Sequence, residues 1–245
     1  MYHMEPIGIL RTAFQEKFGV PRQSLMVGEA KGILKLNSDP RYREAFRHLE
    51  GFSHIWIVFV FHEHVSQEWR STITPPRLDS PGKIGVFASR SPHRPNPIGL
   101  SAVKLEKIDL DGAEGVELHV SGVDILDGTP VLDIQPYLPY VDCVLDATPG
   151  WTESEIPRFS VTFSTLALQQ IEASAGEYKS FHRGDFKRML EQMLELDPRP
   201  TSQRKTMAIN DPANEGMEFA FRLLNIDIRW VIKNSGIYVI ELKPE

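Results

Sequence analysis

The segment with the highest density of chemically useful groups is SRSPHRPNPIGLS, residues 89–101. It places three prolines, two arginines, a histidine and an asparagine between two apolar runs. Proline fixes φ and lacks an N–H, so this composition predicts a rigid loop that holds polar side chains in fixed directions at low entropic cost. We expect such a loop to bind a ligand. The side chains available for this are Arg90, His93, Arg94 and Asn96.

Three further titratable residues, HEH, follow the most hydrophobic run, IWIVFVF at residues 55–61. Residues two apart share one face of a strand, so His62 and His64 could ligate a metal with His54 or His93 completing the set. Such pairs at a strand end are more often solvated, and the sequence has no HExxH motif, so we assign no metal. Glu63 would face the other way, where it could accept a hydrogen bond from a ribose or an amine.

A second candidate is the tetrapeptide Asp127-Gly128-Thr129-Pro130. Asp-Gly between apolar runs predicts a tight hairpin turn. Such a turn also points N–H groups and a hydroxyl outward, which suits a carboxylate or an adenine edge. Both interpretations stay open at this point.

The sequence lacks the motifs of several other common enzyme classes. There is no GxGxxG fingerprint, no Walker P-loop and no GxSxG elbow, which excludes the usual dinucleotide, P-loop and serine-hydrolase sites. The basic segment ELDPRPTSQRK is either a solvated connection or a phosphate contact. It holds Arg199, Arg204 and Lys205.

The first half of the chain must position these groups on strands. Short runs rich in β-branched and aromatic residues alternate there with turn signals, which predicts a compact β-barrel or rolled sheet. One helical segment, around residues 40–49, could cover an end. We place a mainly β N-terminal domain at residues 1–146.

The pattern changes after DATPGW. FSVTFST is typical of a strand, LALQQIEAS and DFKRMLEQMLEL have helical spacing, and Ser164 and Asp185 stand at N-cap positions. A closing hairpin ends the chain. These features predict a smaller α+β C-terminal domain at residues 147–245.

The composition of the chain bears on its cellular compartment and on its binding to membranes and nucleic acids. The chain has 245 residues, one cysteine (Cys143) and no apolar leader after Met1, which favours a cytoplasmic protein. The longest apolar run is too short for a bilayer of roughly 30 Å, so no membrane role is indicated. The net charge of −6 disfavours non-specific nucleic-acid binding but permits a local basic patch.

Several ordered motifs resemble one family. RSPHRPNPIGLS, with FSHIWIVFVFHEH upstream and DILDGTPVLDIQPYLPYVD downstream, is similar to the TsaA-like family called TrmO, and DPRP resembles its bacterial members. The resemblance implies a β-barrel fold, usually dimeric, and an S-adenosylmethionine-dependent tRNA methyltransferase. The implied target is N6 of threonylcarbamoyl-adenosine at position 37, in the anticodon stem-loop of threonine tRNA.

The same resemblance implies which residues contact the cofactor. They lie in the first loop, in the HEH segment, at the two ends of the proline-rich segment and in the DGTP segment. Carried over motif by motif, they are Pro21, Arg22, Gln23, His62, Glu63, Arg90, Leu100, Asp127, Gly128, Thr129 and Pro130. Ser202 stands after DPRP where the family is expected to have an aromatic residue, which puts base stacking by that loop in doubt.

The implied reaction also needs groups for the substrate. The N6 lone pair is delocalised and its proton must leave, which makes His93, Asp127 or a backbone carbonyl candidate acceptors and Asn96 a candidate for orienting the amino group. His93 and Asn96 are therefore our catalytic candidates. Tyr137 and Tyr140 offer stacking surfaces. The candidate phosphate contacts are Arg94, Lys187, Arg199, Arg204 and Lys205.

Two alternatives remain. A metal-dependent small-molecule hydrolase built on the histidines predicts bound metal and no affinity for S-adenosylmethionine. A non-catalytic RNA-binding module that senses the cofactor predicts binding without turnover.

Overall fold

The structure is a computed structural model that describes residues 3–17, 19–77, 79–112, 115–182 and 184–244, with only the backbone at 175–182. The strands are β1 (Gly8–Thr12), β2 (Lys31–Leu36), β3 (His54–Val60), β4 (Thr72–Ile73), β5 (Ile84–Gly85), β6 (Ile98–Gly112), β7 (Gly115–Ser121), β8 (Thr129–Pro136), β9 (Val161–Phe163), β10 (Glu218–Leu223), β11 (Ile226–Lys233) and β12 (Gly236–Pro244). The helices are α1 (Tyr42–Ala45), α2 (Pro139–Asp142), α3 (Thr165–His182), α4 (Phe186–Glu195) and α5 (Thr201–Thr206).

The N-terminal domain is a closed six-strand barrel in the order β1-β2-β7-β6-β3-β8. Neighbouring strands are antiparallel, and β1 closes the barrel by pairing with both β2 and β8. This confirms the predicted β-barrel. A small separate ribbon of β4 and β5 precedes the proline-rich loop, defined here as residues 89–97.

Alternation along β3 and β6 separates the barrel core from an outer face. On β3, Ile55, Ile57 and Phe59 point inward and are buried. Opposite Phe59, Gly99 of β6 is required because a Cβ there would lie 2.2 Å from the Phe59 ring. The outer face of the same two strands is apolar and includes Trp56, Val58, Ile98 and Leu100, so the barrel exposes hydrophobic surface at this point.

The helix predicted around residues 40–49 is shorter than expected. It consists of the single turn α1 followed by a 3-10 turn at Leu49–Gly51. His48 between them adopts a left-handed conformation with φ of 70°, which is incompatible with a continuous α-helix. In addition, α1 buries no side chain that would favour its extension.

The C-terminal domain is an α+β unit, as predicted. Its sheet has the order β10-β11-β12-β9, with β9 parallel to β12 and the other pairs antiparallel. The buried face of α4, including Met189 and Leu190, belongs to the same hydrophobic core as Trp230 of β11. Both predicted N-caps are confirmed: Ser164 Oγ accepts from Ala167 N at 2.9 Å, and Asp185 Oδ1 accepts from Arg188 N at 3.0 Å.

Within the part of the chain that the structure describes, no helix has both the length and the apolar character needed to span a membrane.

Candidate functional site

A cleft of about 1520 Å³ separates the barrel from the C-terminal domain. Residues 70–77 and 87–93 contribute to its barrel side, and residues 149–159 and 196–210 contribute to the other side. We call it the interdomain cleft. Five arginines and three acidic residues line it: Arg22, Arg70, Arg77, Arg90 and Arg204, with Asp79, Glu155 and Asp197. The described lining therefore has more basic than acidic groups, although the protein as a whole is acidic.

At the barrel side of this cleft, two of the predicted cofactor segments meet. Arg90 Nη1 donates a hydrogen bond of 2.8 Å to Gln23 Oε1. Arg90 is exposed, whereas Pro21, two residues before Gln23, is buried and anchors the first loop. An arginine held in place yet open to solvent is suited to binding an anionic group such as a carboxylate.

Arg22, in the same loop, is directed toward the C-terminal domain. Its guanidinium donates to the carbonyl oxygen of Leu196 at 3.0 Å and to that of Asp197. Burial, reinforced by the nearby charge of Arg204, lowers the pKa of Arg22 to about 10. The guanidinium is therefore occupied by these interdomain contacts and is not free to bind a ligand.

The HEH segment forms a second group of predicted cofactor residues, and its predicted geometry was wrong. β3 ends at Val60, and His62–His64 is a 3-10 turn, so the alternation of strand faces does not apply to it. His62 Nδ1 lies 3.3 Å from Thr129 Oγ1, which brings the HEH and DGTP segments together. Glu63 is exposed and lies 3.3 Å from Lys17 Nζ.

The DGTP segment is not a hairpin turn. β7 and β8, which flank it, are not neighbours in the barrel, because β8 lies between β1 and β3. Asp127 Oδ1 instead accepts from Arg11 Nε and from Thr12 N, both at 2.9 Å. Gly128 has a φ of 74°, a conformation that favours glycine. The segment thus fastens β8 to β1, with Pro130 paired to Ile9.

The proline-rich loop contacts both groups of predicted cofactor residues, through Arg90 and Gln23 on one side and through His93 and His64 on the other. Its His93 lines the interdomain cleft and contacts the His64 ring edge-on, with 4.9 Å between centroids. Burial lowers the pKa of both imidazoles, and the charges of Lys17 and Arg70 act in the same direction. His93 Nδ1 is buried and has no hydrogen-bond partner among the described residues. Asn96 is exposed and is not part of the cleft lining, so only one of the two catalytic candidates lines the cleft.

Among the described residues, no group of three His, Cys, Asp or Glu side chains is arranged to hold a metal ion.

Several predicted RNA contacts are engaged within the protein. Arg94 donates to the carbonyl oxygens of Val86 at 3.2 Å and Ser89 at 2.8 Å, so it organises its own loop rather than presenting a free charge to phosphate. Lys187 forms an ion pair with Glu191 and lies 5.0 Å above the Phe163 ring.

Arg199 and Arg204 need correction, since both are buried. The Arg199 side chain is only 3% exposed, and it forms two hydrogen bonds of 2.7 Å with the Asp197 carboxylate. Its guanidinium carbon lies 4.5 Å from the centroid of the Phe219 ring. Arg204 donates to Pro76 O and Thr201 Oγ1, and burial lowers its pKa. Neither guanidinium is accessible to a phosphate.

The remaining candidates lie nearer the surface. Lys205 is exposed on α5. Tyr137 packs against Trp56 with 5.5 Å between ring centroids, so part of its surface is used internally. Tyr140, on α2, is 84% exposed.

Asp124 is a buried carboxylate near the predicted contacts that sequence reasoning did not single out. Ser101 Oγ, next to the predicted contact Leu100, donates to Asp124 Oδ1 at 2.6 Å. Burial raises the pKa of Asp124, although the Ser101 hydrogen bond and the charge of Arg90 oppose this. A signal was present in the sequence: the carboxylate stands between Val123 and Ile125, both of which are buried.

Comparison with known proteins identifies relatives over nearly the full length. Residues 9–143 match the model of the tRNA-methyltransferase O N-terminal domain, and residues 156–245 match that of the TrmO C-terminal domain. The chain is 36% identical over 244 residues to the tRNA (adenine(37)-N6)-methyltransferase of Escherichia coli, covering 99% of this chain and 98% of that protein. It is 40% identical over 229 residues to the putative S-adenosylmethionine-dependent methyltransferase RcsF of Pseudomonas aeruginosa, covering 94% and 92%.

A solved structure agrees with these relationships. The crystal structure of TrmO from Pseudomonas aeruginosa superposes with a TM-score of 0.75 at 34% identity, covering 99% of this chain and 98% of that one. The matched residues include the barrel, the proline-rich loop and the C-terminal sheet. The chain therefore belongs to the TrmO family.

Proposed function

We propose that this protein is an S-adenosylmethionine-dependent tRNA methyltransferase that methylates N6 of adenine at position 37. The observation that carries the proposal is the match to the Escherichia coli tRNA (adenine(37)-N6)-methyltransferase, which extends through both domains. Both the barrel and the C-terminal domain also match models of the same enzyme family.

The predicted cofactor residues of the barrel domain suit the proposed cofactor. Arg90 offers an exposed guanidinium to a carboxylate, and Glu63 offers an exposed carboxylate to an ammonium or a ribose. Leu100 is 51% exposed on the barrel's outer face and offers an apolar surface to an adenosine ring. Gln23 and Thr129 complete the candidate binding set through their contacts with Arg90 and His62.

The reaction does not require a covalent intermediate with the protein. S-adenosylmethionine, when bound, supplies an electrophilic methyl group on a sulfonium. The protein has to align the adenine amino group, exclude water and accept a proton. His93 is suited to the last task because burial lowers its pKa, which favours the uncharged imidazole that can accept a proton. Asn96 remains a proposal for orienting the amino group, since its exposed position requires the substrate to approach the loop from outside.

We further propose that the target adenine carries the threonylcarbamoyl group and that threonine tRNA is the substrate. This rests on the resemblance of the proline-rich and DGTP motifs to the family. The cytoplasm is the compartment that we propose for the reaction, which agrees with a single exposed cysteine, Cys143.

Dimerisation through the barrel is also part of the proposal. The outer face of β3 and β6 is apolar, and Tyr140 and Leu145 are also large, exposed side chains. Exposed apolar surface of this kind favours binding of a partner. A second copy of the chain would cover the part of this face that the cofactor leaves free. We propose residues 1–146 and 147–245 as the domain limits; the last barrel strand ends at Pro136 and the second sheet begins at Val161.

The test is methyl transfer from labelled S-adenosylmethionine. Threonine tRNA as an unmodified transcript is compared with the same tRNA carrying threonylcarbamoyl-adenosine, and each is assayed with the wild type and with Arg90→Ala. We expect incorporation on the modified tRNA alone and its loss in the variant. Cofactor binding by the wild type without incorporation on either tRNA would contradict the enzyme and favour a sensing module.

A further inference from the structure

We propose that Phe87 is a base-stacking residue, on which an unpaired base of the RNA rests as the anticodon loop enters the interdomain cleft. The proposal rests on the proposed function and adds a contact residue for its RNA substrate. The proposed partner of the Phe87 ring is therefore single-stranded RNA.

The first argument is the exposure of Phe87. Phe87 is 72% exposed, although it lines the cleft and lies two residues from Ser89, the start of the proline-rich loop. Its neighbour Val86 is buried and anchors the 3-10 turn Val86–Ala88 that carries both residues. The anchored turn therefore holds the Phe87 ring outside the core, where it adds little to folding stability.

The second argument is the way in which the ring is supported. The guanidinium carbon of Arg94 lies 5.5 Å from the Phe87 ring centroid, within cation–π range. That guanidinium is fixed in turn by its hydrogen bonds to the carbonyls of Val86 and Ser89. An aromatic ring with a fixed cation beside it, and with most of its surface in solvent, has a preformed position and loses little entropy when a base stacks on it.

The third argument is the charge of the surroundings. Of the arginines in the cleft lining, Arg70 and Arg90 are exposed, and they favour a polyanion over an acidic or neutral protein surface. Arg70, near His93, is exposed and can reach a phosphate. Sequence-specific proteins recognise single-stranded RNA loops by this combination, in which aromatic rings stack on splayed bases and basic groups bind the backbone.

The experiment compares Phe87→Ala and Phe87→Tyr with the wild type, using threonylcarbamoylated threonine tRNA and S-adenosylmethionine as separate ligands. Loss of one stacked base predicts roughly 5- to 150-fold weaker tRNA binding by Phe87→Ala, with recovery in Phe87→Tyr. Cofactor affinity, melting temperature and the salt dependence of tRNA binding should be unchanged, since a stacked ring neutralises no phosphate. Leu166→Ala, which truncates an exposed apolar side chain on α3, is the matched control and should bind tRNA normally.

Two results would overturn the stacking role. One is normal tRNA affinity in Phe87→Ala when the wild type binds tRNA. The other is a shift of Phe87→Ala from dimer to monomer in sedimentation, which would assign the ring to contacts between copies of the chain. A wild type that binds no tRNA would refute the proposed function together with this contact, so failure of the stacking role alone can be distinguished.

Discussion

Arg22, in the first loop of the barrel, donates a hydrogen bond of 3.0 Å to the carbonyl oxygen of Leu196, immediately after α4. A cation at this end of a helix is favoured by the orphan carbonyl groups and the helix dipole. Gln23, the next residue in the loop, contacts Arg90. The C-terminal domain and the proposed cofactor residues are therefore linked through two adjacent side chains.

Arg22→Ala should weaken this link. We expect a loss of about 1.5–3 kcal/mol in the free energy of unfolding, because the hydrogen bonds involve a charged donor, and weaker binding of S-adenosylmethionine because the first loop is less constrained. Urea denaturation and calorimetric titration measure the two effects. Arg41→Ala, which removes an exposed arginine paired with Asp39, is the control and should stay within ±0.5 kcal/mol of wild type. An unchanged free energy of unfolding in Arg22→Ala would mean that these hydrogen bonds do not contribute to stability.

Arg199→Met should destabilise the C-terminal domain by about 3–5 kcal/mol, because it leaves the Asp197 carboxylate buried without its partner. The double variant Arg199→Met with Asp197→Asn should recover much of this loss, since it removes both charges. Measured by thermal unfolding, the pair separates an ion-pair effect from simple loss of packing. A folded Arg199→Met protein whose only change is a reduced salt dependence of tRNA binding would restore the phosphate role that burial excludes.

Asp124 should make stability depend on pH. Its folded-state pKa is raised, so the folded protein binds more protons than the unfolded chain between about pH 4 and that raised value. The free energy of unfolding contributed by this group therefore falls as pH rises through that window. Asp124→Asn should lack the fall, and exposed Asp133→Asn should retain it. Urea titrations at several pH values test this, and identical profiles for Asp124→Asn and wild type would be the contrary result.

Gly99→Ala should strain the barrel at Phe59. The added methyl group would meet the buried ring, and overpacking of this kind costs about 1–3 kcal/mol. A second substitution, Phe59→Leu, should relieve part of the cost. Gly85→Ala is a suitable control because that position has an extended backbone and open space around its Cβ. Equal stability of the two alanine variants would argue against close packing at Gly99.

Lys205 is the phosphate candidate that the structure favours. Lys205→Gln should weaken tRNA binding and reduce the slope of log K against log salt by about 0.7–0.9, the value for one phosphate contact. Lys187→Gln should change the slope less, because Lys187 is paired with Glu191. Filter binding at four or five salt concentrations distinguishes the two, and an unchanged slope for Lys205→Gln would exclude this contact.

The barrel strands could be predicted because their side chains alternate between the core and the outer face. The run IWIVFVF illustrates this, since Ile55, Ile57 and Phe59 are all buried on one side of β3. The N-caps at Ser164 and Asp185 could be predicted for a similar reason: capping depends on residues three positions apart, so it is local in sequence.

What could not be predicted depends on contacts between distant segments. The DGTP segment has the composition of a hairpin turn, but its strand neighbours are decided by barrel closure, which joins residues more than a hundred positions apart. Arginine is normally a surface residue, so the sequence predicts that Arg199 is exposed. Its burial is explained by the aromatic rings of β10 and β11 and by the Asp197 carboxylate. The apolar neighbours of Asp124 indicate its burial, but the sequence does not pair it with Ser101, which is remote in the chain.

The pairing of β1 with β8 also has a consequence for the order of folding. Gly8 pairs with Val131, and the β1–β8 pair closes the barrel. This pair can therefore complete the barrel only when the strands between β1 and β8 in the sequence are also present. The second sheet has the same property, since β12 lies between β11 and β9 and joins the two ends of that domain. Contacts of such long sequence separation slow folding, because the chain entropy of closing the loop is lost before the contacts form. Each domain is thus completed by its final strand, and a chain interrupted before residue 129 or before residue 236 leaves an unpaired edge open to aggregation.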